Sequence, residues 1–286
     1  VSAVYTRGER LHKIRDRPTL LLMKVGGYVQ YIKMELRRAI KHYHFWLAFF
    51  LILLCFYYEH RSYFFDNIWK NLDVFYIFVI PFDYSLFFMI IPFAAILPCS
   101  LSIVDDIKTG YIRMLCYRGS RRKYVISKLA ACGITSMVAS LCACLVFLLF
   151  SVCVAPIQSA TGDAWVALSN GKSYEVMAHT FYGLPYIFEI ITRTCLTVLL
   201  WSIIGALISF QWKNKAITLA SVFILFYATD FLLAYLGIND WRPFILFYSN
   251  LEYNGSILFR YIQNASLILI SGIGCYFIAK KNLKSI

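Results

Sequence analysis

The residues best suited to chemistry lie in one charged segment, residues 105–128, which interrupts an otherwise apolar chain. The segment opens with two aspartates and then becomes strongly basic. The uncharged stretches on its flanks, residues 84–104 and 129–162, are each long enough to cross a hydrocarbon core of roughly 30 Å as a helix. This arrangement would hold the segment at one membrane face, where it could recognise a soluble partner.

A helix over roughly residues 108–117 would place apolar side chains on one side, which could dock into a groove of that partner. The basic residues that follow would contact lipid headgroups. The simpler alternative is a basic inside loop with no further role. The residues that we assign to the partner contact are Asp105, Asp106, Gly110, Tyr111, Met114, Leu115, Arg118, Arg121, Tyr124 and Lys128.

No other stretch favours catalysis. A membrane-embedded enzyme needs several ionisable groups that converge at one depth, and the predicted spans contain no paired carboxylates and no metal-ligand spacing. Residues 170–173 resemble the end of a phosphate-binding loop, but Val166 stands where its first glycine would be and no strand precedes it. We therefore expect no enzymatic activity, no catalytic or metal site, and no cofactor bound by this chain itself.

Composition predicts an all-α integral membrane protein. The chain has 286 residues, of which 60% are hydrophobic and 15% charged, whereas soluble domains carry about a quarter charged residues. Helices are expected because backbone groups in lipid must bond within their own segment, and the apolar runs do not alternate as barrel strands would. The predicted spans are residues 42–58, 84–104, 129–154, 189–211, 216–236 and 261–279.

The net charge of +13 lies mostly in four places: residues 1–44, the segment 105–128, the turn 213–215 and the tail from Lys280. Basic residues gather in this way on the cytoplasmic side of membrane proteins. We therefore predict a multi-pass protein of a bacterial plasma membrane with both termini in the cytoplasm. Its positive charge would face membrane lipids and no nucleic acid.

The chain divides into an N-terminal extension, residues 1–27, and a six-span domain, residues 28–286. Residues 1–22 fit either sequence upstream of a start at Met23 or a basic cytosolic tail. After them, helical spacing predicts an amphipathic helix lying in the membrane interface, although a plain extension of the first span is the alternative. The residues assigned to this interfacial helix are Tyr28, Ile32, Leu36, Arg37 and Lys41.

Three features inside the spans are open to two interpretations. Ser136 and Ser140 lie on a stripe of small residues, which could line a substrate path but more often forms a packing seam. Asp230 could likewise line the path or extend toward the outer interface. The prolines Pro92 and Pro98 predict a bend in the second span.

The segment resembles the one that joins the second and third spans in the membrane subunits of type-2 ATP-binding-cassette exporters. The matching residues, in order, are Asp106, Gly110, Arg118, Ser120, Arg121, Tyr124 and Lys128. The layout of residues 23–286 is similar too, with an amphipathic helix, six spans and a broken hairpin before the last span. The extension 1–22 and the large outer loop 155–186 depart from this pattern and leave the subfamily open.

The resemblance implies that the segment is a coupling helix seated on a separate ATPase subunit, which would carry the ATP and Mg²⁺. Two permease subunits, identical or different, would form the path. Our hypothesis is export of a hydrophobic or amphipathic substrate by alternating access, with a peptide such as an antimicrobial peptide or bacteriocin as the best guess. The alternatives are a membrane-embedded enzyme, an ion-coupled secondary transporter, and a peptide-binding sensor or immunity protein that does not pump.

Overall fold

A computed structural model describes residues 17–65, 73–83, 85–112, 121–156, 181–212, 214–247 and 257–282, and all regular structure in these ranges is helical. The helices are α1 (Arg17–Lys41), α2 (Tyr43–Phe65), α3 (Val74–Val79), α4 (Ser85–Ile96), α5 (Ser100–Lys108), α6 (Arg121–Val154), α7 (Leu184–Gln211), α8 (Lys215–Tyr235), α9 (Pro243–Phe247) and α10 (Ile257–Asn282). Short 3-10 turns precede α4, α7 and α9. The predicted all-α fold is confirmed.

Within the described ranges, five helical segments are long and apolar enough to cross a membrane. They are Leu86–Lys108, Arg122–Val154, Leu184–Gln211, Lys215–Tyr235 and Ile257–Lys281. A sixth is reached only if α1 and α2 count as one span, and these two helices meet at an angle of 61°. The apolar helices therefore suit a multi-pass membrane protein with five or six spans, against the six that the sequence predicts.

The second span is broken at Pro98. Helix α4 ends at Ile96 and α5 begins at Ser100, whereas Pro92 lies inside α4 without interrupting it. Proline lacks an N–H group and clashes with the preceding turn, which is why a helix stops there. The hydroxyl of Ser100 donates a hydrogen bond to the backbone oxygen of Ser202 at 3.0 Å, so the break is anchored to α7.

Helix α7 forms the centre of the bundle and is buried along most of its length. It packs against α4, α5, α6, α8 and α10. The approach to α4 is very close at Gly205, where an added Cβ would lie 2.8 Å from Cγ1 of Ile96. A larger residue at this position would force the two helices apart.

Two short helices are enclosed by the long ones. Helix α3 begins at Asp73, whose carboxylate accepts a hydrogen bond from the backbone N–H of Tyr76 at 2.7 Å. The apolar residues of α3 are buried against α6 and α7, so this stretch lies within the bundle. Helix α9 lies in the stretch before the last span where a broken hairpin is expected, and its residues Leu246 and Phe247 are buried.

Candidate functional site

Two acidic side chains, two basic side chains and one tyrosine meet where α1, α5 and α6 come together. Lys128 Nζ donates hydrogen bonds to Glu35 Oε2 at 2.7 Å and to Asp106 Oδ2 at 2.9 Å. The hydroxyl of Tyr124 donates to the same Asp106 Oδ2 at 3.0 Å. Arg38 Nη2 lies 2.6 Å from Asp106 Oδ1. We call Glu35, Arg38, Asp106, Tyr124 and Lys128 the ion network.

The ion network is buried and electrically balanced. Glu35, Asp106, Tyr124 and Lys128 are each at most 2% exposed, while the side chain of Arg38 is 41% exposed. Two carboxylates face two cations, so no net charge is buried. Removing one partner of a buried ion pair costs about 3–5 kcal/mol, because the other charge is left without compensation. The network therefore fixes α1 to α5 and α6 in one arrangement.

Local sequence explains how each helix supplies its part. Tyr124 and Lys128 are four residues apart and so lie on the same face of α6. Glu35 and Arg38 are three apart on α1, which gives them a shared face as well. Helix α5 ends just beyond Asp106 because Gly110 adopts a φ of +70°, a left-handed conformation that favours glycine.

The structure places the assigned partner-contact residues in different settings. Asp105 pairs with Lys215 at 2.7 Å, with both side chains more than a third exposed. The ring centroid of Tyr111 lies 4.9 Å from the guanidinium carbon of Arg38. Burial, and after it the charge of Glu35, raise the pKa of Tyr111. Gly110 ends α5 as described above.

The predicted helix over residues 108–117 is placed only in part. Lys108 is the last residue of α5, and Tyr111 and Ile112 are helical after an intervening turn. Met114, Leu115 and Arg118 lie outside the described residues, as does the side chain of Arg121, the first residue of α6.

Asp106, Tyr124 and Lys128, assigned to the partner contact, are buried against one another. Their hydrogen bonds join the two ends of the segment. The described basic side chains of the segment that remain exposed are Lys108 and Arg122, with Lys123 half-buried beside the ring of Tyr28.

Sequence reasoning missed Glu35, Arg38 and Lys215. A signal for Glu35 exists, since it is the only acidic residue between positions 17 and 58. It also falls on the apolar side of α1, close in angle to Tyr28 and Ala39 at about 100° per residue. An acid on the apolar face of a basic helix indicates a buried cationic partner.

The residues predicted for the interfacial helix all lie on α1, which starts at Arg17 and is longer than predicted. Tyr28, Ile32 and Leu36 are half-buried against the bundle, while Arg37 and Lys41 are exposed. The face of α1 that packs most tightly is formed by Glu35 and Ala39.

Ser136 and Ser140, assigned to a substrate path, are buried in helix packing. The hydroxyl of Ser136 donates to the backbone oxygen of Ala95 at 2.7 Å and lies 3.0 Å from the hydroxyl of Ser202. The neighbouring Gly133 faces Leu199 of α7. In the single chain this stripe of small residues is a packing seam that brings α4, α6 and α7 together.

Asp230 also has a structural partner. Arg242 donates two hydrogen bonds to its carboxylate, at 2.8 Å and 3.3 Å, and the backbone N–H of Phe244 donates a third at 3.1 Å. Because Phe244 belongs to α9, these bonds fasten α9 to α8. The carboxylate of Asp230 thus positions α9.

Another buried ion pair lies near the start of α7. Arg193 Nε is 3.1 Å from Glu189 Oε1, and both side chains are at most 3% exposed. The four-residue spacing of these two residues predicts such a pair, which is confirmed.

Among the described residues, no group of three or more His, Cys, Asp or Glu side chains is placed to hold a metal ion. No protein-family model matches this chain, and no curated protein and no solved structure matches it. Functional assignment must therefore be argued from the residues themselves.

Proposed function

We propose that this chain is the permease subunit of an ATP-driven exporter in a plasma membrane. A separate ATPase subunit would bind residues 105–128, and two permease subunits, identical or different, would enclose the path. The substrate would be a hydrophobic or amphipathic molecule, with a peptide as the best fit, moved outward by alternating access. The partner subunit would hydrolyse ATP. This chain would supply the substrate path and the segment, residues 105–128, that transmits the partner's movement.

The ion network is the observation that carries the proposal. Lys128 contacts both Glu35 and Asp106, so both ends of the segment are tied to α1 through short, buried bonds. A force applied to the segment cannot be absorbed locally, because packed interiors shift between discrete arrangements and do not deform smoothly. It must move α1, α5 and α6 together, which is what a coupling element has to do.

Two neighbouring features allow such a movement to reach the bundle. The break at Pro98 separates α5 from α4, and the hydrogen bond from Ser100 to Ser202 links the start of α5 to α7. The pair between Asp105 and Lys215 extends the connection to α8. Motion of the segment would thus reach α1, α6, α7 and α8.

The exposed surface around the segment suits an acidic partner. Arg122 and Lys108 are exposed at its two ends, with Lys123 beside them. Like charges brought together this way attract an oppositely charged protein surface and speed association. The side chains that would face the partner are therefore basic, and the buried side chains of the segment make it rigid.

The substrate class rests on the outer surface of the bundle. Large apolar residues are exposed along α2 and α8, among them Phe50, Tyr57 and Phe231. Where two permease subunits meet, such faces would offer an aromatic and aliphatic wall. That wall suits an amphipathic peptide better than a polar sugar or an ion.

The test is site-specific photo-crosslinking in the native membranes. A photoreactive residue in place of Arg122 should capture a protein that hydrolyses ATP. The same residue in place of Phe181 should not, because Phe181 is exposed at the opposite end of α7, about 40 Å away along a helix of this length. With the photoreactive residue in place of Lys108 instead, charge reversal by Arg122→Glu with Lys123→Glu should abolish the capture.

A matched control reverses Lys280 and Lys281, two exposed cations at the end of α10. That variant should capture the ATPase as the wild type does. Failure of the wild-type chain to capture any ATPase would refute the proposal. Capture of an ATPase whose activity no peptide stimulates would instead favour a sensor or immunity protein that binds peptide without pumping.

A further inference from the structure

Helix α1 carries a second set of charges on the side opposite the ion network. Lys33, Arg37 and Lys41 follow one another at four-residue intervals and are all exposed. At about 100° per residue they form one stripe, roughly 160–240° around the helix from Glu35. The same helix thus has one face bound into the protein and another that presents three cations.

Apolar side chains lie at the edge of this cationic stripe. Val29 is 57% exposed and Ile40 is 42% exposed, although both are aliphatic. On the helix they lie between the stripe and the half-buried Leu36, so the apolar and basic groups adjoin. A helix that combines an apolar edge with a basic face lies at the boundary between headgroups and acyl chains.

The bend between α1 and α2 brings α1 to that boundary. Helix α2 is strongly apolar, and α1 leaves it at 61° just before His42 and Tyr43. Tyr43 and Trp46, exposed at the start of α2, are residue types enriched at membrane interfaces. With α2 along the membrane normal, α1 would lie closer to the membrane plane than to the normal.

We propose that Lys33, Arg37 and Lys41 bind the headgroups of anionic phospholipids in the bilayer, and that this binding steadies the ion network. The lipid contact and the network share one rigid helix, so displacing one displaces the other. An acidic soluble protein is the less suitable occupant, because it would leave Val29 and Ile40 in water. The lipid contact stands by itself, and only its effect on transport rests on the proposed function.

The expected selectivity is electrostatic. Each basic residue near an anionic leaflet strengthens binding by about fivefold, and the contribution falls off within a Debye length. A zwitterionic headgroup carries no net charge and offers no such gain. Arg37 can also hold a phosphate through two parallel hydrogen bonds, which a lysine cannot do.

Hydrogen exchange of the purified chain in nanodiscs tests the inference without any ATPase. Two sets of discs are compared, one of phosphatidylcholine alone and one with about a third phosphatidylglycerol, a composition that gives a negative surface. Amides of residues 105–112 and 121–128 should exchange several-fold more slowly in the anionic discs. The difference should shrink markedly for the variant Lys33→Gln with Arg37→Gln, which removes two of the three charges but keeps polar side chains.

The control variant is Lys280→Gln with Lys281→Gln, which removes the same charge from a helix that does not contribute to the ion network. It should retain the full difference between the discs. Adding inorganic phosphate to phosphatidylcholine discs should not reproduce the slowing, since the proposed occupant is the bilayer. Equal exchange of the wild type in both discs, equal slowing in the Lys33/Arg37 variant, or slowing by free phosphate would each overturn the inference.

Because no ATPase is present, these outcomes are independent of photo-crosslinking at Arg122. Lipid-dependent exchange without ATPase capture would support this inference and refute the proposal that the chain is an exporter subunit.

Discussion

Lys128 and Glu35 are 93 residues apart in the chain, yet their charged atoms lie 2.7 Å apart in a buried contact. This bond joins α1 to α6. Asp106 at the end of α5 binds the same lysine, so the three helices meet at one buried contact. The predictions below test how strongly the fold depends on these contacts.

The first prediction concerns the balance of charge in the ion network. Lys128→Met should lower stability by about 3–5 kcal/mol, because it leaves Glu35 and Asp106 facing Arg38 alone. The double variant with Glu35→Gln should recover a large part of that loss, since Asp106 and Arg38 then form a balanced pair. Unfolding in detergent, followed by tryptophan fluorescence, gives the coupling through a double-mutant cycle. Additive losses would show that the two side chains do not interact.

The second prediction contrasts two adjacent aspartates. Asp106→Asn should lower stability by about 3 kcal/mol, since its carboxylate is buried among Arg38, Tyr124 and Lys128. Asp105→Asn should cost less than about 1 kcal/mol, because its pair with Lys215 is more than a third exposed and screened by solvent. Apparent unfolding temperatures of the two variants measured side by side decide the order. Equal losses would contradict the burial that separates the two residues.

The region of α5 and the ion network shows which features local sequence predicts and which it does not. The apolar runs predict the helices, and Pro98 predicts the break, because both depend on local chemistry alone. The order of Asp106, Tyr124 and Lys128 marks the segment as special but does not say which way the side chains point. Their burial depends on Glu35, which is distant in sequence and contacts them only after α1 packs against α6.

The same limit applies to Ser136 and Asp230. A stripe of small residues and an acid inside a span are compatible with a path or with packing, and composition alone does not separate the two. Their hydrogen-bond partners Ser202 and Arg242 come from other parts of the chain, so local sequence does not reveal them.

The third prediction concerns the close approach of α4 and α7. Gly205→Ala should lower stability by about 1–3 kcal/mol, because the new Cβ would lie 2.8 Å from Cγ1 of Ile96. Shortening the neighbour by Ile96→Ala makes room, so the double variant should lose less than the sum of the single variants. Gly133→Ala is the matched control, since its Cβ would lie 3.2 Å from the side chain of Leu199 and the clash is milder. If Gly133→Ala proved the more damaging, the helix contact described here would be wrong.

The fourth prediction tests the attachment of α9 to α8. Asp230→Ala removes the acceptor for Arg242 and for the N–H of Phe244, so α9 should detach more often. Hydrogen exchange of the amides of residues 244–247 should then rise about tenfold, the effect of losing roughly 1.4 kcal/mol. Asp230→Asn should raise it less, because the amide oxygen can still accept the bond from Phe244 while the charge is lost. Arg242→Gln should resemble Asp230→Asn if the pair acts as a unit, and an effect confined to Asp230 would show that Arg242 contributes nothing to holding α9.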